Sequence, residues 1–161
     1  IAPRHPERGP EIAAEAAAIG LTVTSRSDGA QPGGSAVHVA DTLGEMGLWY
    51  RLARIAFIGG SLVPLGGHNP YEPAALGVTL ASGPETGSFA EAFGPLFAAG
   101  ACHRVEDAET LGQFLRWALQ PDGQRAAAAA GAAARATAIL AAENSVLDEA
   151  VALIAAHLAA P

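Results

Sequence analysis

Short apolar runs alternate with helical stretches along the chain up to residue 104. Runs of β-branched and aliphatic residues are followed by segments in which apolar residues recur at helical spacing, an order typical of βα units in a parallel sheet. The pattern predicts strands at 21–24, 37–40, 55–58 and 78–81, and helices at 11–19, 43–53, 70–76 and 89–98. The stretch 25–35 is polar and rich in glycine, which predicts a surface loop.

The pattern changes after residue 105. Segments 108–119, 124–142 and 146–159 all have helical character, and no strand is predicted between them. Much of this part is alanine, the best helix former. The chain 1–161 is therefore predicted to be one α/β domain, a Rossmann-like parallel sheet flanked by helices with a helical C-terminus. Such an organisation predicts a fold but no particular function.

Composition narrows the class of protein. Half of the 161 residues are apolar and 16% are charged, which is typical of a globular domain. The net charge of −7 argues against a nucleic-acid partner, which would require a basic face. We find no signal peptide and no run of about 20 apolar residues that would span a bilayer. The single cysteine, Cys102, favours a reducing compartment and is predicted to be a buried packing residue.

The segment 59–72 lies at a predicted strand-to-helix junction, where open α/β sheets bind their ligands. Its two glycine pairs, 59–60 and 66–67, let the backbone approach a ligand closely or adopt positive φ. Asn69 with Glu72 also has the spacing of a capping box, with Pro70 in the first turn. Glu72 is thus either a capping residue or an acceptor for the hydroxyls of a ribose, and both interpretations stay open.

Two further segments have the same character. In 41–46, Asp41 or Thr42 is predicted to cap the following helix, and Gly44 in its first turn suggests that a ligand approaches the backbone there. In 3–8, two prolines hold the chain extended while Arg4 and His5 offer donors to an anion. The alternative for 3–8 is an ordinary solvated turn. His68 precedes Asn69 and would also face an anion, and no histidine or carboxylate has the spacing of a metal site.

Taken together, three motifs resemble those of the bacterial 3-deoxy-D-manno-octulosonic acid (Kdo) transferases. They are Pro-Arg-His-Pro-Glu-Arg at 3–8, Asp-Thr-Leu-Gly-Glu-Met at 41–46, and Gly-Gly-Ser-Leu-Val-Pro-Leu-Gly-Gly-His-Asn-Pro-Tyr-Glu at 59–72. The resemblance extends to about residue 111 and covers only the C-terminal half of that enzyme. It implies a GT-B glycosyltransferase, in which this half binds the donor CMP-Kdo and the N-terminal acceptor domain is not included in this chain.

The resemblance also implies roles for individual residues. Arg4 would contact the phosphate or the sugar carboxylate, 44–46 would contact cytidine or phosphate through backbone groups, and Glu72 would hold the ribose. The complete set of predicted substrate-binding residues is Pro3, Arg4, His5, Gly44, Glu45, Met46, His68, Asn69, Pro70, Tyr71 and Glu72. Ser88 and Glu85 differ from the residues usual in the family, so their loop is not assigned to the site.

For the complete protein, the resemblance implies inverting transfer of Kdo to a lipid A precursor without a metal or other cofactor. The general base would be a glutamate of the N-terminal half, whose surface would contact the cytoplasmic side of the bacterial inner membrane. The present chain alone is therefore expected to make no product. The alternatives are the donor domain of another GT-B enzyme, a sugar-nucleotide epimerase or a UDP-dependent transferase, and a non-catalytic nucleotide-binding module.

Overall fold

The computed structural model describes residues 1–120 and 123–158, and it describes side chains of the last helix at 127–142, 151–155 and 157. The chain forms two compact units, Ile1–Leu52 and Ala53–Pro161. Each unit contains a parallel sheet and helices, so the prediction of a parallel sheet flanked by helices is confirmed. No helix among the described residues has both the length and the apolar character needed to cross a bilayer.

The first unit has a two-stranded parallel sheet. Strand β1 (Val23–Ser25) pairs with β2 (Val37–Val39), and helices α1 (Gly9–Ala18) and α2 (Met46–Leu52) belong to the same unit. Helix α2 starts three residues later than predicted, because Gly44 has a φ of +82° and cannot continue a right-handed helix. Gly44 therefore lies before the helix and not inside its first turn.

The second unit has a three-stranded parallel sheet in the order β3-β4-β5. Its strands are β3 (Ile55–Ile58), β4 (Thr79–Ser82) and β5 (Cys102–Arg104), and its helices are α3 (Tyr71–Ala75), α4 (Ala90–Ala98), α5 (Ala108–Ala118) and α6 (Gly123–Leu158). All four residues of the central strand β4 are buried, which places the core on both faces of this strand. Phe93, Leu96 and Val105 are buried in the same unit.

Two predictions for this unit are wrong. Strand β5 was not predicted, because three residues give too short a pattern to recognise. The two predicted helices 124–142 and 146–159 form one helix, α6, up to the last described residue, and Ala159 lies outside the described residues. No glycine or proline stands between them, and Asn144 and Ser145 each cost a helix only about 0.7 kcal/mol or less.

Helix α6 is attached to α3 and to the sheet of its own unit by hydrogen bonds as well as by packing. Thr137 donates to the carbonyl oxygen of Ala74 in α3 at 2.9 Å, and Thr79 in β4 donates to that of Ala129 in α6 at 3.2 Å. Cys102 is buried at the start of β5, as predicted, and burial raises the pKa of its thiol to about 12. These contacts leave the carboxyl ends of β3 and β4, and the loops that follow them, for a site.

Candidate functional site

Residues 3–5 are held beside strand β2 in the first unit. The nitrogen of Ile1 donates to the carbonyl oxygen of His38 at 2.7 Å, and the oxygen of Ile1 accepts from the nitrogen of Ala40 at 2.8 Å. This is the hydrogen-bond pattern of a parallel pair, so the chain runs alongside β2 and reaches Pro3 and Arg4 at the carboxyl end of that strand.

The charged side chains of this segment are exposed to solvent. Arg4 forms no hydrogen bond or ion pair among the described residues, which leaves its guanidinium open to an anion. His5 lies 3.6 Å from the carboxylate of Glu7, and both side chains are exposed. Pro3 is half-buried. The segment thus presents the unpaired Arg4 cation at the carboxyl end of β2, and α/β proteins bind their ligands at the carboxyl ends of their strands.

Asp41 follows β2 and does not cap helix α2, which corrects the expectation for this residue. Its carboxylate accepts hydrogen bonds from the backbone nitrogen of Ser27 at 2.8 Å and from the Ser27 hydroxyl at 2.6 Å. Burial raises the pKa of Asp41, but the hydrogen bonds from Ser27 outweigh it and the pKa is lowered. A Cβ on Gly9 would come within 2.6 Å of the Asp41 carboxylate, so helix α1 also contacts this residue.

Gly44, Glu45 and Met46 form a turn before α2. Gly44 has a positive φ, which favours glycine, and a Cβ on it would meet no atom within 4 Å. The space beside its backbone is therefore open, and the approach of a ligand there stays a prediction. The Glu45 carboxylate accepts from Arg26 at 3.0 and 2.8 Å and from the Thr42 hydroxyl. These bonds lower the pKa of Glu45 to about 2. Gly44 is exposed, and Met46 is 37% exposed.

In the second unit the loop after β3 is anchored by one buried serine. The Ser61 hydroxyl donates to the carbonyl oxygen of Ile58 and accepts from the backbone nitrogen of Gly83 at 2.8 Å. The Ser61 carbonyl oxygen also accepts from the nitrogen of Glu85 at 2.9 Å. Since Ile58 ends β3 and Gly83 follows β4, Ser61 joins the carboxyl ends of two neighbouring strands.

The two glycine pairs close this loop on itself. The nitrogen of Gly67 donates to the oxygen of Gly60 at 2.9 Å, and that of His68 donates to Gly59 at 3.1 Å. Gly66 has a φ of +81°, and a Cβ there would come within 2.2 Å of the Ser88 hydroxyl oxygen. The His68 ring lies over Gly60, where a Cβ would be 3.4 Å from the ring. Close contact within the protein therefore accounts for several of these glycines.

The end of the loop presents its polar groups at the start of α3. The Asn69 side chain accepts from the nitrogen of Tyr71 at 2.8 Å, while Pro70 is buried. No bond from Glu72 back to Asn69 is present among the described residues, so the reciprocal half of the capping box is not formed. Glu72 is exposed, and its side chain has no hydrogen bond or ion pair in the described part of the chain. Its carboxylate is thus available to a ligand.

The structure brings the predicted residues to the carboxyl ends of strands in their own units. In the first unit, 3–5 and 44–46 lie at the carboxyl end of β2. In the second unit, 68–72 belong to the loop after β3 and the start of α3. Sequence reasoning missed Arg26, Ser27 and Ser61, which hold the loops by contacts distant in sequence.

The residues at 1–120 and 123–158 contain no group of three histidine, cysteine or acidic side chains suited to a metal. A groove of about 470 Å³ beside β5 contains none of the predicted residues.

Comparison with known proteins identifies relatives of this chain. The chain is 43% identical over 122 residues to the 3-deoxy-D-manno-octulosonic acid transferase of Bordetella pertussis, covering 74% of this chain and 28% of the relative. It is 39% identical over 94 residues to that of Haemophilus influenzae, covering 58% of this chain and 22% of the relative. The chain thus spans less than a third of either relative. No protein-family model matches it.

A solved structure has the same fold. The crystal structure of the C-terminal CMP-Kdo binding domain of WaaA from Acinetobacter baumannii superposes with a TM-score of 0.79 at 33% sequence identity. The match covers 86% of this chain and 70% of that domain. Similarity in both sequence and fold therefore extends over most of the chain.

Proposed function

Because this chain belongs to the 3-deoxy-D-manno-octulosonic acid transferase family, we propose that it binds the donor CMP-Kdo for transfer of the Kdo sugar. The neighbouring structure from Acinetobacter baumannii is described as a CMP-Kdo binding domain, and the likeness to it supports the same ligand here. The alternative of another GT-B donor domain would require a different nucleotide preference, which the experiment below measures.

One observation carries the proposal: the loop 59–72 is fixed by internal hydrogen bonds while its functional carboxylate is left unpaired. Ser61 and the glycine pairs hold the backbone, so little conformational entropy is lost when a ligand binds. The Glu72 carboxylate has no protein partner among the described residues and accepts the two hydroxyls of the ribose in this proposal.

The residues of the first unit have complementary roles. Arg4 donates to the phosphate or to the carboxylate of Kdo, for which a guanidinium has suitable geometry. The segment 44–46 contacts the nucleotide through its backbone, because the Glu45 carboxylate is already occupied by Arg26 and Thr42. His5 and Met46 lie beside these groups in sequence and complete the surface offered to the donor.

The complete protein is proposed to transfer Kdo to a lipid A precursor with inversion at the anomeric carbon. A glutamate of the N-terminal half would take the proton from the acceptor hydroxyl, and Arg4 would stabilise the departing cytidine monophosphate. In this proposal the N-terminal half also supplies the contact with the acceptor and with the cytoplasmic face of the inner membrane.

Calorimetric titration of the chain with CMP tests the donor assignment. Arg4→Ala and Glu72→Gln each remove a charge-assisted hydrogen bond, so each is expected to weaken CMP binding by roughly 10- to 100-fold. Arg54→Ala and Glu91→Gln are matched controls, since both residues are exposed and neither is in the proposed site.

The proposal fails if the chain binds no CMP at millimolar concentration, or if it prefers UMP. Equal affinities of Arg4→Ala and Arg54→Ala, or of Glu72→Gln and Glu91→Gln, would refute the site residues while leaving the donor open.

A further inference from the structure

A bidentate ion pair connects the segments that follow β1 and β2. Arg26 is the first residue after β1, and its guanidinium donates through Nε to one Glu45 oxygen at 3.0 Å and through Nη2 to the other at 2.8 Å. Both side chains are only 26% exposed, which makes this pair less accessible to solvent than the Arg8–Glu11 pair of the same unit, at 56% and 53%.

A second connection lies directly beside the first. Ser27 donates from its backbone nitrogen and its hydroxyl to the carboxylate of Asp41. The backbone nitrogen of Arg26 also donates to the oxygen of Val39 at 2.8 Å, as part of the same junction. Two adjacent residues after β1 therefore hold both ends of the segment 41–45 after β2.

The Glu45 carboxylate is fully engaged by its own protein. It accepts two bonds from Arg26 and one from Thr42, and these bonds lower its pKa to about 2. It therefore stays ionised and paired at neutral pH. Gly44, next to it, has positive φ and open space around it. The ion pair fixes the turn from one side, and the backbone of the turn is left accessible on the other.

We infer that Arg26 is a positioning residue of the donor site, which holds Glu45 and thereby orients the backbone of 44–46 towards the nucleotide. This inference rests on the proposed function, because it assigns Arg26 an effect on a ligand that Arg26 itself does not touch. Without the guanidinium, the Glu45 carboxylate keeps only the bond from Thr42, and the flexible glycine lets the backbone reorient.

The test combines CMP titration with a double-mutant cycle. Arg26→Gln and Glu45→Gln are each expected to weaken CMP binding about tenfold, and the double variant is expected to be no weaker than either one, because each removes the same contact. Arg26→Lys keeps an ion pair with Glu45 and is expected to restore most of the affinity. Arg8→Gln removes a bidentate pair of similar geometry on α1 and is expected to bind CMP like the parent chain.

Amide hydrogen exchange supplies a measurement that needs no nucleotide. Exchange at 44–46 is expected to be faster in Arg26→Gln than in Arg8→Gln, whereas exchange in the sheet of the second unit should be the same in both. If the parent chain binds no CMP, the proposed function fails, and unchanged exchange at 44–46 would separately refute the positioning role.

Two other results would overturn the inference. Affinity of Arg26→Gln equal to that of Arg8→Gln would show that the ion pair does not influence the site. A further tenfold loss when Arg26→Gln is added to Glu45→Gln would show that Arg26 contacts the nucleotide directly, which contradicts a positioning role.

Discussion

Replacing Ser61 by alanine tests how the loop 59–72 is held. The Ser61 side chain is fully buried, and its hydroxyl both donates to Ile58 and accepts from the nitrogen of Gly83. Alanine removes these two bonds and leaves the Gly83 nitrogen buried without an acceptor. An unsatisfied buried group costs about 1–3 kcal/mol, so we expect the free energy of unfolding to fall by about 2 kcal/mol.

Ser82 provides the matched control. Ser82 directly precedes Gly83 and is also fully buried, but its hydroxyl has no hydrogen-bond partner in the described part of the chain. Ser82→Ala removes a similar volume without breaking a bond. Its free energy of unfolding is therefore expected to stay within about 0.5 kcal/mol of the parent chain or to rise, because an unpaired polar group is lost from the core.

Urea unfolding measures the difference between the two variants. Each unit contains one tryptophan, Trp49 in the first and Trp117 in the second. In a Trp49→Phe background, fluorescence reports on the second unit, where both serines lie. A loss of about 2 kcal/mol corresponds to a melting temperature lower by roughly 4–8 °C in a chain of this size. Equal stabilities of Ser61→Ala and Ser82→Ala would refute the anchoring role of the hydroxyl.

Three other variants or conditions give separate tests. Gly66→Ala should destabilise the chain more than Gly77→Ala in thermal melts, because both have positive φ but only the first places a Cβ against Ser88. The Cys102 thiol should react with a thiol reagent only after unfolding, and stability should fall above about pH 9, since its pKa is raised in the folded chain. Asp41→Asn should remove stability at neutral pH but not below the carboxyl pKa, because that pKa is lowered by folding.

Local pattern predicted most of the fold. Strand β3 was predicted with its observed bounds, and helix α3 within a residue at each end, because an apolar run and a Pro-rich helix start are local signals. Strand β5 was not predicted, because it is defined by its pairing with β4 and not by the pattern of its own three residues. Helix α6 was predicted as two helices, although the polar residues at 143–145 do not interrupt it.

The candidate site could be predicted from the sequence where it depends on single residues, but not where it depends on pairs. Arg4 and Glu72 were predicted from their neighbours in sequence, and the structure leaves the side chains of both without a protein partner in its described part. The pair of Arg26 with Glu45 spans 19 residues, and no local rule connects the two side chains. Asp41 was misassigned as a helix cap for the same reason, since its partner stands 14 residues earlier.

Titration of the isotopically labelled chain with CMP, followed by NMR, tests the central claim most directly. Binding of the donor nucleotide predicts saturable shifts of the signals from 3–5, 44–46 and 68–72, with the proline residues followed through their side chains. The signals of the residues that line the groove beside β5, including Trp117, are expected to stay unchanged. No shift at millimolar CMP, or shifts confined to that groove, would contradict the account.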